Sequence, residues 1–140
     1  MNWVISQTDD LTTCLALRRA IFMDEQGVSE ADEVDGRDGD AAHVMATLDG
    51  TPLGCARILV TGEIARIGRV CVLKEARGSG LGTAIIAACL DVAREQPGTK
   101  RAMLSAQTQA QSFYEKLGFR AFGPIYDDAG LAHRDMDRAL

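Results

Sequence analysis

Residues 70–83 read Val70-Cys71-Val72-Leu73-Lys74-Glu75-Ala76-Arg77-Gly78-Ser79-Gly80-Leu81-Gly82-Thr83, an apolar run that breaks into a glycine-dense corner and at once becomes an amphipathic helix. No other stretch limits the fold so sharply. Glycine lets a backbone turn tightly and lets its N–H groups approach a ligand with no Cβ in the way. The first N–H groups of a helix lack internal partners and carry the positive end of the helix dipole, which favours an anion. Arg77 adds a fixed cation whose fork of donors matches phosphate oxygens. Strand, corner and helix together predict a unit that holds a di- or polyphosphate.

The rest of the chain supplies the frame for that unit. Trp3-Val4-Ile5 predicts a short opening strand, and Thr8-Asp9-Asp10 offers capping groups ahead of Leu11, Cys14, Leu15, Arg18, Ile21 and Phe22 at helical spacing. Strands are predicted over 43–48, 53–61 and 63–73, with Asp49-Gly50 as a hairpin turn between the first two. Leu53, Cys55, Arg57 and Leu59 share one face of the middle strand by the two-residue period. Leu81–Glu95 is predicted to be a helix that Gln96-Pro97-Gly98 stops. A strand over 101–106 precedes a helical stripe of Ala110, Phe113, Tyr114 and Leu117, which Gly118 is placed to end. Strands over 120–126 and 132–137 close the chain around Asp128-Ala129-Gly130. A strand meander followed by strand–helix alternation defines a mixed α/β (α+β) domain. At 140 residues, 1–140 is predicted to be one domain.

Charge narrows the partners. The formal net charge of -5, with no clustered Lys and Arg, argues against a nucleic-acid partner held by its phosphates. Residues 25–40 carry seven acids (Glu25, Glu30, Asp32, Glu33, Asp35, Asp38, Asp40) and three glycines, and are predicted to form a short helix and an exposed loop. Cys14, Cys55, Cys71 and Cys89 are separated by 41, 16 and 18 residues, which matches no zinc pattern. Each has small or apolar neighbours, so all four are read as free buried thiols, and a cytoplasmic location is expected. No signal peptide is visible in the first ten residues, and the apolar stretch 81–92 is too short to span a bilayer, so no membrane partner is expected.

Three phosphate-binding patterns compete for residues 77–83. A P-loop needs Gly-Lys-Ser/Thr at its end, and Gly82-Thr83-Ala84 has no lysine. A dinucleotide fingerprint from Gly78 would need a third glycine where Thr83 stands and an acid near residues 98–101, where there is none. The third, Arg/Gln-x-x-Gly-x-Gly/Ala, is met at every specified position by Arg77-Gly78-Ser79-Gly80-Leu81-Gly82. That segment resembles the coenzyme loop of the GNAT N-acetyltransferases. Downstream, Gln107-Thr108-Gln109-Ala110-Gln111-Ser112-Phe113-Tyr114-Glu115-Lys116-Leu117-Gly118-Phe119 is similar to that family's Asn-x-x-Ala-x-x-x-Tyr-x-x-x-Gly-Phe, with the carboxamide Gln107 in place of asparagine. Arg18-Arg19-Ala20-Ile21-Phe22-Met23-Asp24-Glu25-Gln26-Gly27-Val28, Asp35-Gly36-Arg37-Asp38, Ala56-Arg57-Ile58-Leu59, Ile67-Gly68-Arg69-Val70 and Gly130-Leu131-Ala132-His133 look like the ElaA/YjcF-like branch.

The resemblance implies a single GNAT-type domain: a mixed, mostly antiparallel sheet of six or seven strands flanked by helices, with splayed central strands. It implies acetyl-CoA as co-substrate, no metal, a small-molecule amine acceptor and, as in many relatives, a homodimer. Main-chain groups of Val70, Cys71 and Val72 would pair with the pantetheine arm. Arg77, Gly78, Ser79, Gly80, Leu81, Gly82 and Thr83 would hold the pyrophosphate, with Gln107 and Tyr114 beside the coenzyme. Tyr114 matches the family's usual general acid.

The base stays open among Glu25, Asp35, Glu63, His43, His133 and a positioned water. Glu25, His43 and His133 are also acceptor-site candidates. Arg57 and Arg69, inside apolar strands, either face an anionic group of the substrate or pair with acids of residues 25–40. Two further functions stay open beside a small-molecule enzyme: an acetyl-CoA-binding sensor or scaffold with little turnover, and an acetyltransferase for protein lysines or N-termini.

Overall fold

The computed structural model describes residues 3–140. Seven strands form: β1 (Trp3–Thr8), β2 (Ala42–Leu48), β3 (Thr51–Thr61), β4 (Ile64–Val72), β5 (Arg101–Gln107), β6 (Arg120–Asp128) and β7 (Leu131–Ala139). They make one sheet in the order β1-β2-β3-β4-β5-β7-β6. The β2–β3 corner at Asp49 (φ 50°) and Gly50 (φ 80°) has both central residues left-handed, the geometry whose twist suits a two-residue hairpin. Ala129 (φ 54°) and Gly130 (φ 82°) repeat it between β6 and β7.

All pairings are antiparallel except β4–β5, and that exception positions the site. These two strands pair only through Ile64–Arg101, Ala65–Ala102 and Arg66–Met103, then part. Helix α3 (Leu81–Glu95) buries Leu81, Ile85, Ile86, Cys89 and Ala93 on one face of the sheet, against residues such as Val44, Ile58 and Met136. The approach is close enough that a Cβ on Gly54 would stand 2.7 Å from the Cys71 carbonyl and 2.8 Å from Ile85 Cδ1. On the other face α1 (Leu11–Arg18) packs Cys14 and Leu17 on Cys55 and Cys71. Asp10 caps it, its Oδ1 accepting from the Thr13 N–H at 3.1 Å. All four cysteines are free and buried. Among the described residues no helix is long and apolar enough to cross a membrane.

Two departures from the sequence reading bear on function. The first helix does not stay α-helical to Phe22: residues Arg19–Glu25 wind more widely, and the Gln26 N–H bonds Ile21 O at 3.0 Å. Such wide turns recur at functional sites because they re-aim side chains. The acid-rich segment has the expected short helix, α2 (Glu30–Glu33), capped by Ser29, but it is not exposed throughout, since Glu33 and Asp38 are buried.

Candidate active site

Where β4 and β5 separate, a cavity of ≈ 330 Å³ opens between residues 67–70 and residues 104–107. Tyr114 and His133 contribute to its wall, and Phe22, Gln26 and Val28 close one side. Its β4 wall is bulged: Cys55 pairs with Cys71 and Arg57 with Gly68, so Arg69 and Val70 together face one residue of β3. Arg69 takes the left-handed position of the bulge (φ 50°), a conformation that costs a non-glycine residue about 1–3 kcal/mol.

The glycine corner lies at the outer end of the same strand. Gly78 (φ 78°) and Gly80 (φ 88°) supply the left-handed turns, and Ser79 Oγ donates to Ala76 O at 2.5 Å. Gly80 caps α3 with no side-chain hydrogen bond, and among the described residues nothing satisfies the N–H groups of Leu81, Gly82 and Thr83. Phe113 packs under the corner, 3.3 Å from where a Cβ on Gly82 would stand. Beyond Arg66 the β4 edge facing β5 is equally unpaired. An extended arm ending in a diphosphate fits both: a free strand edge for amides and uncapped helix N–H groups for phosphate oxygens. These groups, main chain of Val70, Cys71 and Val72 and the corner 77–83, are the ones that would hold coenzyme A. The Cys71 side chain itself points away, with its Sγ 3.4 Å from Cys55 Sγ.

Arg77 does not extend freely toward solvent. Its Nη1 and Nη2 donate to Glu25 Oε1 and Oε2 at 2.5 and 2.7 Å, and its Nε donates to Val72 O at 3.1 Å. The bond from Arg77 holds the Glu25 carboxyl below its ordinary value, so Glu25 stays an anion and is a weak proton acceptor. The next residue, Gln26, accepts from Gln107 Nε2 at 2.9 Å. Glu25 and Gln26 thus reach both rims of the splayed pair, the corner after β4 and the end of β5.

Tyr114 is 9% exposed and packs edge-on against Phe113 and Phe119. Among the described residues its hydroxyl has no hydrogen-bond partner, and the residue lines the cavity. Burial pushes its pKa up to about 12, so the phenol keeps its proton at neutral pH. His133 also lines the cavity; its Nδ1 donates to Leu131 O at 2.8 Å, which leaves the neutral ring with Nε2 as an acceptor.

The remaining predicted residues lie elsewhere. Arg57 is 6% exposed and does not line the cavity; it grips Asp35 at 2.9 and 2.5 Å and Asp38 Oδ1 at 3.1 Å. Arg18, 1% exposed, bonds Glu33 and donates to the same Asp38 oxygen at 2.7 Å. His43 Nε2 donates to the Asp38 carbonyl at 2.9 Å, beneath this lattice. Asp35 is held well below the usual carboxylate range, first by the bond from Arg57. Arg69 joins the lattice to the cavity: its Nε and Nη2 donate to Glu33 O at 3.2 and 3.0 Å. Glu63 stands in the turn before β4, at the strand end opposite the corner, and pairs with Lys100 Nζ at 3.3 Å. Of the five base candidates only His133 lines the cavity.

The sequence reading passed over the tie between Gln26 and Gln107 and a chain of Ser105, Tyr126 and Asp135. A signal existed for the second. Alternate residues of a strand share a face, so Ser105 and Gln107 had to stand together, but their partners on β6 and β7 depend on a register that sequence does not print.

Residues 20–140 match the acetyltransferase (GNAT) domain, and the chain belongs to that family. Its activity is of that general kind, acetyl transfer from acetyl-coenzyme A. The N-acetyltransferase YjcF of Bacillus subtilis, itself uncharacterized, is 32% identical over 138 residues, covering 97% of this chain and 98% of YjcF. ElaA of Escherichia coli is 32% identical over 135 residues, and its crystal structure superposes with a TM-score of 0.85 over 98% of each chain. An acyl-CoA N-acyltransferase from Pseudomonas aeruginosa is similar too, with a TM-score of 0.84 and 33% identity over 99% of this chain and all of that one (100%).

Proposed function

We propose that this chain, within an ElaA/YjcF-like branch, acetylates the primary amine of a small molecule by direct attack on the acetyl-CoA thioester. One observation carries the reading: a buried tyrosine, proton retained and hydroxyl unpartnered among the described residues, lines the gap between two splayed strands. A free alkylamine, pKa ~10.4, is almost wholly protonated at neutral pH and has no lone pair to attack with. His133, tautomer fixed through Nδ1, takes that proton on Nε2. A main-chain N–H of the bulged stretch 67–70 steadies the oxyanion as the carbonyl opens. Tyr114 then gives its proton to the departing thiolate. No side chain becomes acylated.

A small acceptor suits the cavity's volume of ≈ 330 Å³, lined by Phe22 and Val28 on one side and by the β6–β7 turn on another. Four reduced, buried thiols fit a cytoplasmic setting. The test is Tyr114→Phe, with thiol release measured over a broad amine panel. Removing a general acid is expected to lower kcat by roughly a hundredfold or more while the affinity for coenzyme A holds. Unchanged turnover would remove Tyr114 from the chemistry. Coenzyme binding with no wild-type turnover of any amine would favour a sensor.

A further inference from the structure

Ser105 stands two residues beyond Met103, the last β5 residue paired with β4, and lines the cavity. Its Oγ is hydrogen-bonded to the Tyr126 hydroxyl, which in turn donates to Asp135 Oδ1 at 2.6 Å. The register brings the three together, since Asp135 on β7 faces Ser105 on β5, and His133 on β7 faces Tyr126 on β6. Only one direction of donation satisfies the chain. A carboxylate accepts and cannot donate, and a phenol has a single proton. Tyr126 gives that proton to Asp135, so its oxygen must accept from Ser105. Ser105 thereby spends its own proton and presents only lone pairs to the cavity. Burial, and then the bond to Asp135, raise the Tyr126 pKa, so the phenol stays protonated and the polarity is fixed. Asp128, on the cavity rim, is the other acid that acts on Tyr126, and the His133 ring stacks on it with centroids 6.2 Å apart.

We infer that Ser105 receives an N–H of the acceptor amine, and that Tyr126 and Asp135 are positioning residues that lock its oxygen as an acceptor, so that the site selects acceptors entering as ammonium ions. This deepens the acetyltransferase reading and rests on it. A free serine hydroxyl can donate or accept and would serve a carboxylate or an amide as readily as an amine. A locked one opposes every group that offers lone pairs. An ammonium carries donors alone: one is held by Ser105, and another is aimed at the open Nε2 of His133 for removal.

Two measurements test this. In steady-state kinetics with the best amine of the panel, Ser105→Ala and Tyr126→Phe should each raise the amine KM roughly ten- to a hundredfold, the range for a hydrogen bond to a charged group. The KM for acetyl-CoA should hold, and Ser105→Thr, which keeps the hydroxyl, should restore the amine KM. Unchanged amine KM in both variants would reduce the chain to a tie between strands. The second measurement needs no turnover. The protein has two tyrosines, so ring-labelled Tyr126 is identified in the NMR spectrum of Tyr114→Phe. Ethylammonium chloride should shift its Cζ signal in the otherwise native chain and leave it in place when Ser105→Ala is added. No shift would overturn the inference even in an active acetyltransferase. A shift in a protein that binds no coenzyme would uphold the ammonium site and break the reading on which it rests.

Discussion

Two polar regions flank β4, and they are finished to different degrees. In the lattice of Arg18, Glu33, Asp35, Asp38 and Arg57, each buried charge has a partner supplied by the chain. At the corner and along the splayed edge, the first α3 N–H groups and the Tyr114 hydroxyl have none among the described residues, and β4 beyond Arg66 has no strand partner on its β5 side. Buried polar groups are rarely left unpaired in a folded chain, because each costs free energy when water is lost and nothing replaces it. The saturated region obeys that rule as architecture, whereas the corner, with Gly78 and Gly80 exposed, meets water that a ligand's phosphate oxygens can replace. Arginine shows the contrast in a single residue type: Arg57 is sealed in, whereas Arg77 is bound at the surface by a carboxylate that a phosphate could replace.

The largest effect expected on that contrast is Arg18→Ala. It strips the shared cation from Glu33 and Asp38 while both stay buried, and breaking such a pair costs about 3–5 kcal/mol. Urea denaturation reads this directly, and a loss below about 1 kcal/mol would mean that water already reaches the lattice. Gly80→Ala comes next. Holding a Cβ residue at φ 88° costs about 1–2 kcal/mol, and relief of the strain would turn the corner's N–H groups aside. Its signature is weaker coenzyme A binding out of proportion to its modest stability loss.

The acid limb of stability is smaller. Asp35 has a lower proton affinity folded than unfolded, chiefly through its bond from Arg57, so its contribution is complete above the unfolded value near pH ~4 and is lost as pH falls from there toward the native one. Arg57→Lys, which cannot grip both oxygens, should flatten that limb between pH 2 and 4, roughly the window in which unfolded carboxylates take up protons. The smallest effect is Glu25→Gln. The exposed pair with Arg77 adds too little to move the denaturation midpoint, but freeing Arg77 should tighten coenzyme A binding several-fold in calorimetry. Weaker binding would make Glu25 part of the coenzyme site rather than its occupant.

How far the sequence showed each region follows from what makes it. The corner was legible because glycine density, a preceding apolar strand and a following helix are local signals, and local signals survive in one dimension. Tyr114 was legible for the same reason, as a member of a helical stripe ending at Gly118. The lattice was half visible: Arg57 and Arg69 were conspicuous in apolar strands, and acids of residues 25–40 were named as their alternative partners. The depth of Glu33 and Asp38 was not visible, because an acid-rich, glycine-bearing stretch reads as solvated until its arginines are placed above it. The Ser105–Tyr126–Asp135 chain was hidden, since it needs the β5–β7–β6 order, in which β7 crosses between its predecessors. Glu63 was conspicuous as a base because it is the only acid of residues 63–69, at the outer end of its strand. The bulge and the gap lie at the other end.

Isothermal titration of coenzyme A into the native chain reads the corner itself, since its unsaturated N–H groups are the ones that would hold the diphosphate. Saturable heat at one ligand per chain, weakened by Gly80→Ala and kept in Tyr114→Phe, is the predicted result. Absence of heat at millimolar coenzyme A would contradict it.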